Sequence, residues 1–135
     1  MKILVVDDVQ MSLYQVEKAV RPFGEVTAHK DPLQALKEFK ASAKAGQPFD
    51  LVFLDISMPT MDGLEFLLRL REAEQELGLA DRRSRVVMVT SHSERDFVAK
   101  AIQKGAQGYL LKPIVPESLH AEIHRLFPEG VEGAA

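Results

Sequence analysis

The sequence predicts an α/β fold: a doubly wound, five-stranded parallel sheet with helices on both faces. Three observations predict it. Short apolar runs recur at residues 3–6, 51–54, 86–89 and 108–111, and a weaker run at 25–28 lies between the first two. The first three of those four are continuous β-branched or leucine stretches, as expected of strands covered on both faces. Amphipathic helical patterns separate the runs, so the chain reads as β-α five times over, the arrangement that gives a parallel sheet with right-handed crossovers.

Each element follows from its residues in order. The opening run, residues 3–6, is the first strand. Residues 11–20 set Leu13, Val16 and Val20 on one helical face until Pro22 and Gly24 end it. Residues 25–28 form an edge strand. Asp31-Pro32 supplies an N-cap and a proline at the first helical position; Leu33, Leu36 and Phe39 then make an apolar stripe, ending at Gly46 and Pro48. Residues 51–54 are the third strand. Asp62-Gly63 opens a third helix with Leu64, Leu67, Leu68 and Leu70 inward, and the charged stretch 73–85 is read as its extension plus a loop. After the strand at 86–89, Ser93 and Asp96 start a helix carrying Phe97, Val98, Ala101 and Ile102. The strand at 108–111 leads to a last helix that begins at Pro116-Glu117-Ser118 and repeats Leu119, Ile123, Leu126 and Phe127. One domain over 1–127 and a fraying tail over 128–135 are expected.

Composition narrows the function. The chain is 46% hydrophobic and 27% charged, ordinary for a globular domain, and no apolar run approaches the roughly 20 residues of a membrane span. Without cysteine it has no disulfide, thiol catalysis or cysteine-ligated metal. Residues 1–6 read as a strand, not a signal peptide. The net charge of −3 is spread along the chain, without the basic stripe of a nucleic-acid surface. A cytoplasmic protein without direct nucleic-acid or membrane contact is expected.

In an open parallel sheet, ligands bind at the carboxyl ends of the strands. Asp7 and Asp8 follow the first strand, Asp55 ends the third, Thr90 and Ser91 end the fourth, and Lys112 follows the fifth. Three carboxylates, a hydroxyl and an ammonium therefore converge on one edge. Carboxylates so close raise one another's pKa, and a divalent cation removes that cost. Ligation by oxygen alone suits Mg²⁺, Mn²⁺ or Ca²⁺, not zinc. Mg²⁺ takes one or two carboxylates and keeps waters, which leaves a carboxylate oxygen free as a nucleophile toward phosphorus. The bland readings stand beside this one: a strand-end aspartate caps a helix, Lys112 is a solvated lysine, and Thr90 caps the fourth helix.

These residues resemble the receiver domain of bacterial response regulators, including the stand-alone chemotaxis type. The matching pieces are Ile3-Leu4-Val5-Val6-Asp7-Asp8, the segment 50–59 around Asp55, Met61-Asp62-Gly63, Val89-Thr90 and the segment 105–113 ending in Lys112-Pro113, together spanning about residues 1–127. The resemblance implies a flavodoxin-like strand order, 2-1-3-4-5. It implies that Asp55 accepts a phosphoryl group. Mg²⁺, or Mn²⁺ in its place, would be held by Asp8, Asp55 and the backbone carbonyl of Ser57, with Asp7 acting more through water. It implies that Thr90 and Lys112 contact the phosphoryl group, that Tyr109 turns inward when Thr90 moves, and that the Lys112–Pro113 peptide bond is cis. A half-buried packing tyrosine is the alternative at position 109. Ser91 stands where the family usually has alanine or glycine; Ser57 and His92 occupy positions that tune dephosphorylation. His29, His120 and His124 lack acidic partners at ligand spacing and read as solvent-facing.

Rival functions fit less well. Aspartate-nucleophile phosphatases resemble an Asp-x-Asp-x-Thr pattern, whereas Ile56 and Ser57 follow Asp55. A nucleotide or flavin site wants a glycine-rich loop after the first strand, where this chain has Asp7-Asp8-Val9-Gln10. A phosphorylation-independent interaction module would not need all of Asp8, Asp55, Thr90 and Lys112. The expected function is thus a phosphorelay switch, not an enzyme beyond its own phosphorylation and dephosphorylation, either free-standing or as part of a larger regulator. Its donor would be a histidine kinase or phosphotransfer protein. A downstream protein effector would read residues 93–127, the fourth helix, fifth strand and fifth helix, with the chain a monomer or a phosphorylation-dependent dimer.

Overall fold

The computed structural model describes residues 1–91 and 95–129. The chain runs β1 (Lys2–Val6), α1 (Gln10–Val20), a 3-10 turn (Arg21–Phe23), β2 (Glu25–His29), α2 (Pro32–Lys44), β3 (Leu51–Asp55), α3 (Gly63–Glu76), β4 (Arg85–Thr90), α4 (Arg95–Gln103), β5 (Gly108–Leu111) and α5 (Pro116–Leu126). All strand pairs are parallel, in the expected order β2-β1-β3-β4-β5. Strand β3, central in the sheet, is buried throughout, whereas the edge strand β2 is only partly covered. That is the order in which apolar continuity falls along the sequence.

Alternation along the strands divides the core in two. Leu4, Val6, Val52, Leu54, Val86 and Met88 face α2, α3 and α4. Ile3, Val5, Leu51, Phe53, Val87 and Val89 face α1 and α5. The expected caps are present: the Asp31 carboxylate accepts from the Leu33 N–H at 2.9 Å, and Asp62 accepts from Glu65 N–H at 2.9 Å. Each satisfies a donor that the first helical turn leaves open.

Several inward assignments are corrected. In α3 the buried positions are Gly63, Phe66, Leu67, Leu70, Ala73 and Glu74, spaced by three and four, so Leu68 lies about 100° away from Leu67 and is exposed. Leu33 is likewise exposed, because the α2 core stripe passes through Ala35, Leu36 and Phe39. In α4, where no inward face was assigned, Ala101 is buried and Phe97 and Ile102 are exposed. His29 is half-buried, 3.5 Å from Glu38, and the ring of His120 meets the Ala19 carbonyl and the edge of Phe23. Neither is solvent-facing, because α2 and α1 cover them; His124 is exposed as expected. Ser93 and His92 lie outside the described residues, as does the tail from 130.

The end of the sheet opposite Asp55 carries a buried charge clasp that the sequence pattern did not reveal. Arg71 donates from Nη1 to Glu74 Oε1 (2.6 Å) and the Ser84 carbonyl (2.9 Å), and from Nη2 to the Gly105 carbonyl (2.6 Å) and Gln107 Oε1 (3.2 Å). Glu74 is 2% exposed and also accepts from the Ser84 N–H at 2.6 Å. One guanidinium thus joins α3, the loop before β4 and the loop before β5.

Candidate functional site

The site is built by chain ends that the sheet register aligns. Val6 pairs with Leu54, Asp55 with Val89, and Thr90 with Leu111. One residue past these partners lie Asp7 and Lys112. Two backbone bonds fix the rim: Ile56 N–H donates to Val89 (3.2 Å), and Lys112 N–H donates to Thr90 (2.7 Å). The Lys112–Pro113 bond is cis, as the resemblance implied.

Asp7 and Asp55 are buried, and Thr90 is fully so. Carboxylate oxygens of Asp7, Asp8 and Asp55 lie within 4.8 Å of one another. Lys112 Nζ stands 3.3 Å from Asp7 Oδ2 and 3.5 Å from Asp55 Oδ1. Asp7 Oδ1 also accepts from Val9 N–H at 2.9 Å, closing the turn ahead of α1, whose N-cap is Val9 without a side-chain cap bond; Asp7 therefore does not cap the helix. The second loop contributes similarly: Ser57 N–H donates to Asp55 Oδ1 at 3.3 Å.

The electrostatics are frustrated. Burial, and then the charge of Asp7, push the Asp55 carboxyl from its ordinary 3.8 up to about 7; Lys112 and the Ser57 N–H oppose the rise, and a hydrogen bond with Asp8 adds to it. With all three carboxylates ionised, Lys112 leaves two negative charges uncompensated. Asp8 Oδ1 is buried without a hydrogen-bond partner among the described residues. An orphaned carboxylate oxygen and a surplus of two negative charges fit a hard divalent cation bound by oxygen. Asp7, Asp8 and Asp55 could hold one.

Close backbone approach completes the site, and its signal was read only as a helix start. A Cβ on Gly63 would stand 2.6 Å from the Asp55 carbonyl oxygen and 2.9 Å from Ile56 Cα. Gly63 therefore lets α3 begin directly against the end of β3, where its N–H donates to the Ile56 carbonyl at 2.8 Å. A cleft of about 390 Å³, with Ser57, Met58, Pro59 and Phe97 among its walls, opens beside the loop that follows Asp55.

Thr90 Oγ1 donates to the Ser91 carbonyl at 3.1 Å. Tyr109 is 46% exposed, not half-buried in packing. It pairs with Met88 in the sheet, which puts it on the same sheet face as Thr90, two residues on. No helix among the described residues is long and apolar enough to cross a membrane.

The family model for the response regulator receiver domain matches residues 3–124. Chemotaxis protein CheY-3 of Vibrio cholerae is 32% identical over 129 residues, covering 94% of this chain and 92% of the relative. Two-component response regulator ARR12 of Arabidopsis thaliana is 36% identical over 121 residues, 88% of this chain but 18% of the longer relative. Among solved structures, chemotaxis protein CheY4 of Vibrio cholerae superposes with a TM-score of 0.73 at 27% identity, covering 92% of this chain and 96% of the other. The CheX–CheY–BeF3–Mg complex of Borrelia burgdorferi gives a TM-score of 0.78 at 25% identity, with 94% and 89% covered. Fold, register and sequence match agree across nearly the whole chain: this protein belongs to the response regulator receiver domain family of two-component signalling.

Proposed function

We propose that Asp55 accepts a phosphoryl group from a histidine kinase or phosphotransfer protein and that the charge so placed changes the surface read by a partner protein. The observation that carries this is the pairing of a buried strand-end carboxylate, Asp55, with Lys112 at 3.5 Å and with two further carboxylates within 4.8 Å.

The chemistry follows from those distances. A carboxylate oxygen of Asp55 forms the new bond to phosphorus while the bond from phosphorus to the donor's nitrogen breaks, leaving an acyl phosphate. Transfer of this kind asks the protein mainly for position and charge neutralisation. Lys112 supplies a positive charge beside Asp55, and Thr90 supplies a hydroxyl at the same rim. Asp8, Asp55 and the Ser57 carbonyl would hold Mg²⁺, with Asp7 acting through water; the ion would neutralise the carboxylates and the incoming phosphoryl oxygens. The presence of Mg and BeF3 in the named complex of the Borrelia relative supports this assignment. It also names CheX as that relative's partner, which supports a protein as the reader here.

Phosphorylation adds close to two negative charges at pH 7. The Thr90 hydroxyl, now donating to the Ser91 carbonyl, would turn toward them, and Tyr109 would move into the space released. The surface changed is α4, β5 and α5, where Tyr109, Pro113, Ile114 and Val115 line a cleft of about 570 Å³. The sheet register supports this coupling by setting Tyr109 and Thr90 on one face. A domain over 1–127, acting alone or within a longer regulator such as those of which ARR12 is an example, is the expected unit.

The test is intact-mass spectrometry after incubation with acetyl phosphate and Mg²⁺. One phosphoryl adduct is expected, lost when EDTA replaces Mg²⁺. An unmodified wild type in saturating Mg²⁺ contradicts the proposal.

A further inference from the structure

Helix α4 is held unevenly along its length. Of its described side chains, over 96–103, only Ala101 is buried. Val98 packs partly against the core, while Phe97, Lys100 and Ile102 are exposed. Helices α2 and α3, on the same sheet face, bury six residues each. Ala101 lies two residues from the carboxyl end of α4, so the described amino half buries no side chain. Phe97 lines a cleft of about 390 Å³ with Met58 and Pro59 of the loop after β3, so that half also has open space beside it.

The carboxyl end is fixed several times over. Ala106 N–H donates to the Ala101 carbonyl at 2.9 Å and Gly105 N–H to the Ile102 carbonyl at 3.2 Å, the bond pair of a Schellman stop. Gly105 takes a φ of 112°, and a Cβ there would stand 3.1 Å from Arg71 Nε and from Arg83 Nη2. The Gly105 carbonyl accepts from Arg71 Nη2 at 2.6 Å. Gln107, two residues on, is engaged at three groups. Its N–H donates to the Val86 carbonyl at 2.8 Å, its carbonyl accepts from Arg125 Nη2 at 2.7 Å, and its Oε1 accepts from Arg71 and from the Val86 N–H. Charged donors make the strong hydrogen bonds, and here two guanidinium groups tie the end of α4 and the start of β5 to α3 and α5.

We infer that α4 is a lever hinged at Gly105, with the Arg71 clasp as its fixed end. Local opening costs least where few apolar side chains are buried and most where hydrogen bonds are shielded. The first condition holds in the amino half of α4 and the second at its carboxyl end. Strand β4 ends at Thr90, so the moving end of the lever follows the rim of the site and the fixed end lies at the far end of the sheet. Motion of α4 therefore grows from Gly105 back toward Thr90. Where this rests on the proposed function, a phosphoryl group at Asp55 shifts the first turns of α4 and leaves the start of β5 and the end of α5 in place. Arg71 is then a positioning residue for the output surface: it sets where the change stops, without touching the phosphoryl group.

Residue-resolved amide hydrogen exchange of the full chain tests this. A helix that frays evenly is most protected in its middle. Here protection factors at 104–107 are expected to exceed those at 99–101 by about tenfold or more. Variant Arg71→Met/Glu74→Gln removes both buried charges together and keeps an acceptor for the Ser84 N–H, so the fold is retained, with circular dichroism as the control. It is expected to speed exchange at 104–107 by about tenfold or more relative to β3. With beryllofluoride and Mg²⁺, exchange in the wild type is expected to change over 98–103 and not over 105–108; in the variant the change reaches 105–108. Wild-type protection that peaks in mid-helix overturns the inference. So do a variant that keeps the gradient and a wild-type beryllofluoride response that runs through 105–108. A chain indifferent to beryllofluoride contradicts the proposed function instead, and the gradient in the unmodified chain still decides the hinge.

Discussion

Lys112 donates its backbone N–H to the Thr90 carbonyl at 2.7 Å, so the ammonium beside Asp55 and the hydroxyl at its rim share one β4–β5 edge. The distance between the two groups is therefore set by sheet geometry rather than by flexible loops. Under the proposed function, a charge placed at one strand end would be answered by a movement of the next.

Removing the ammonium tests that arrangement. Lys112→Met deletes the nearest positive charge to Asp55 while keeping the stem. A hydrogen bond to a charged group contributes about 1.5–3 kcal/mol. Phosphorylation by acetyl phosphate is accordingly expected to slow by about 10- to 100-fold, with the fold intact by circular dichroism. Unchanged kinetics would exclude Lys112 from the transfer step.

The Asp55 titration gives stability a sign. Its carboxyl is raised from 3.8 to about 7 in the folded chain, so the unfolded chain releases that proton first as pH rises. In EDTA, the contribution of Asp55 to stability should fall between about pH 4 and pH 7 and level off above. Asp55→Asn should remove this component, giving a urea midpoint above that of wild type at pH 8 and closer to it at pH 4. At pH 8, Mg²⁺ should raise the wild-type midpoint. A chain that gains no more from Asp55→Asn at pH 8 than at pH 4 contradicts the burial argument.

Gly63 is expected to tolerate no side chain. Gly63→Ala sets a carbon 2.6 Å from the Asp55 carbonyl, against backbone that cannot swing aside. A loss of about 1–3 kcal/mol in urea unfolding is expected, with slower phosphorylation because the end of β3 must shift. The matched Gly46→Ala change, at a glycine with φ of 81° and open space around it, should cost stability without slowing phosphorylation.

The Arg71 clasp separates stability from activity. Arg71→Ala strands Glu74, which is 2% exposed, without its main cation. Breaking a buried pair on one side costs about 3–5 kcal/mol. Denaturation should show this loss, while the phosphorylation rate measured where the chain remains folded should stay near wild type, since the clasp sits at the opposite end of the sheet from Asp55.

Much of this architecture was legible because strand burial writes itself as apolar continuity. Residues 3–6, 51–54 and 86–89 read as strands covered on both faces, and the strand-end rule then collected Asp7, Asp8, Asp55, Thr90 and Lys112 at one edge. The helices were legible as elements but less so as faces. Leu33 and Leu68 are as apolar as their buried neighbours, and only the angular position of the core stripe excludes them. Arg71 and Glu74 were illegible for the opposite reason: charge reads as surface unless the partners that bury it, here Ser84, Gly105 and Gln107, are known. Gly63 was seen as a helix start, but the need for its missing side chain lies in a contact with Asp55 across a loop.

The most direct test of the central claim locates the phosphoryl group. The chain is phosphorylated with acetyl phosphate in Mg²⁺, reduced with borohydride, which converts an acyl phosphate of aspartate to homoserine, and mapped by peptide mass spectrometry. Homoserine is expected at position 55 alone, and none in Asp55→Asn. Homoserine at Asp7 or Asp8 in the wild type, or none at position 55 in a chain shown to be phosphorylated, would contradict it.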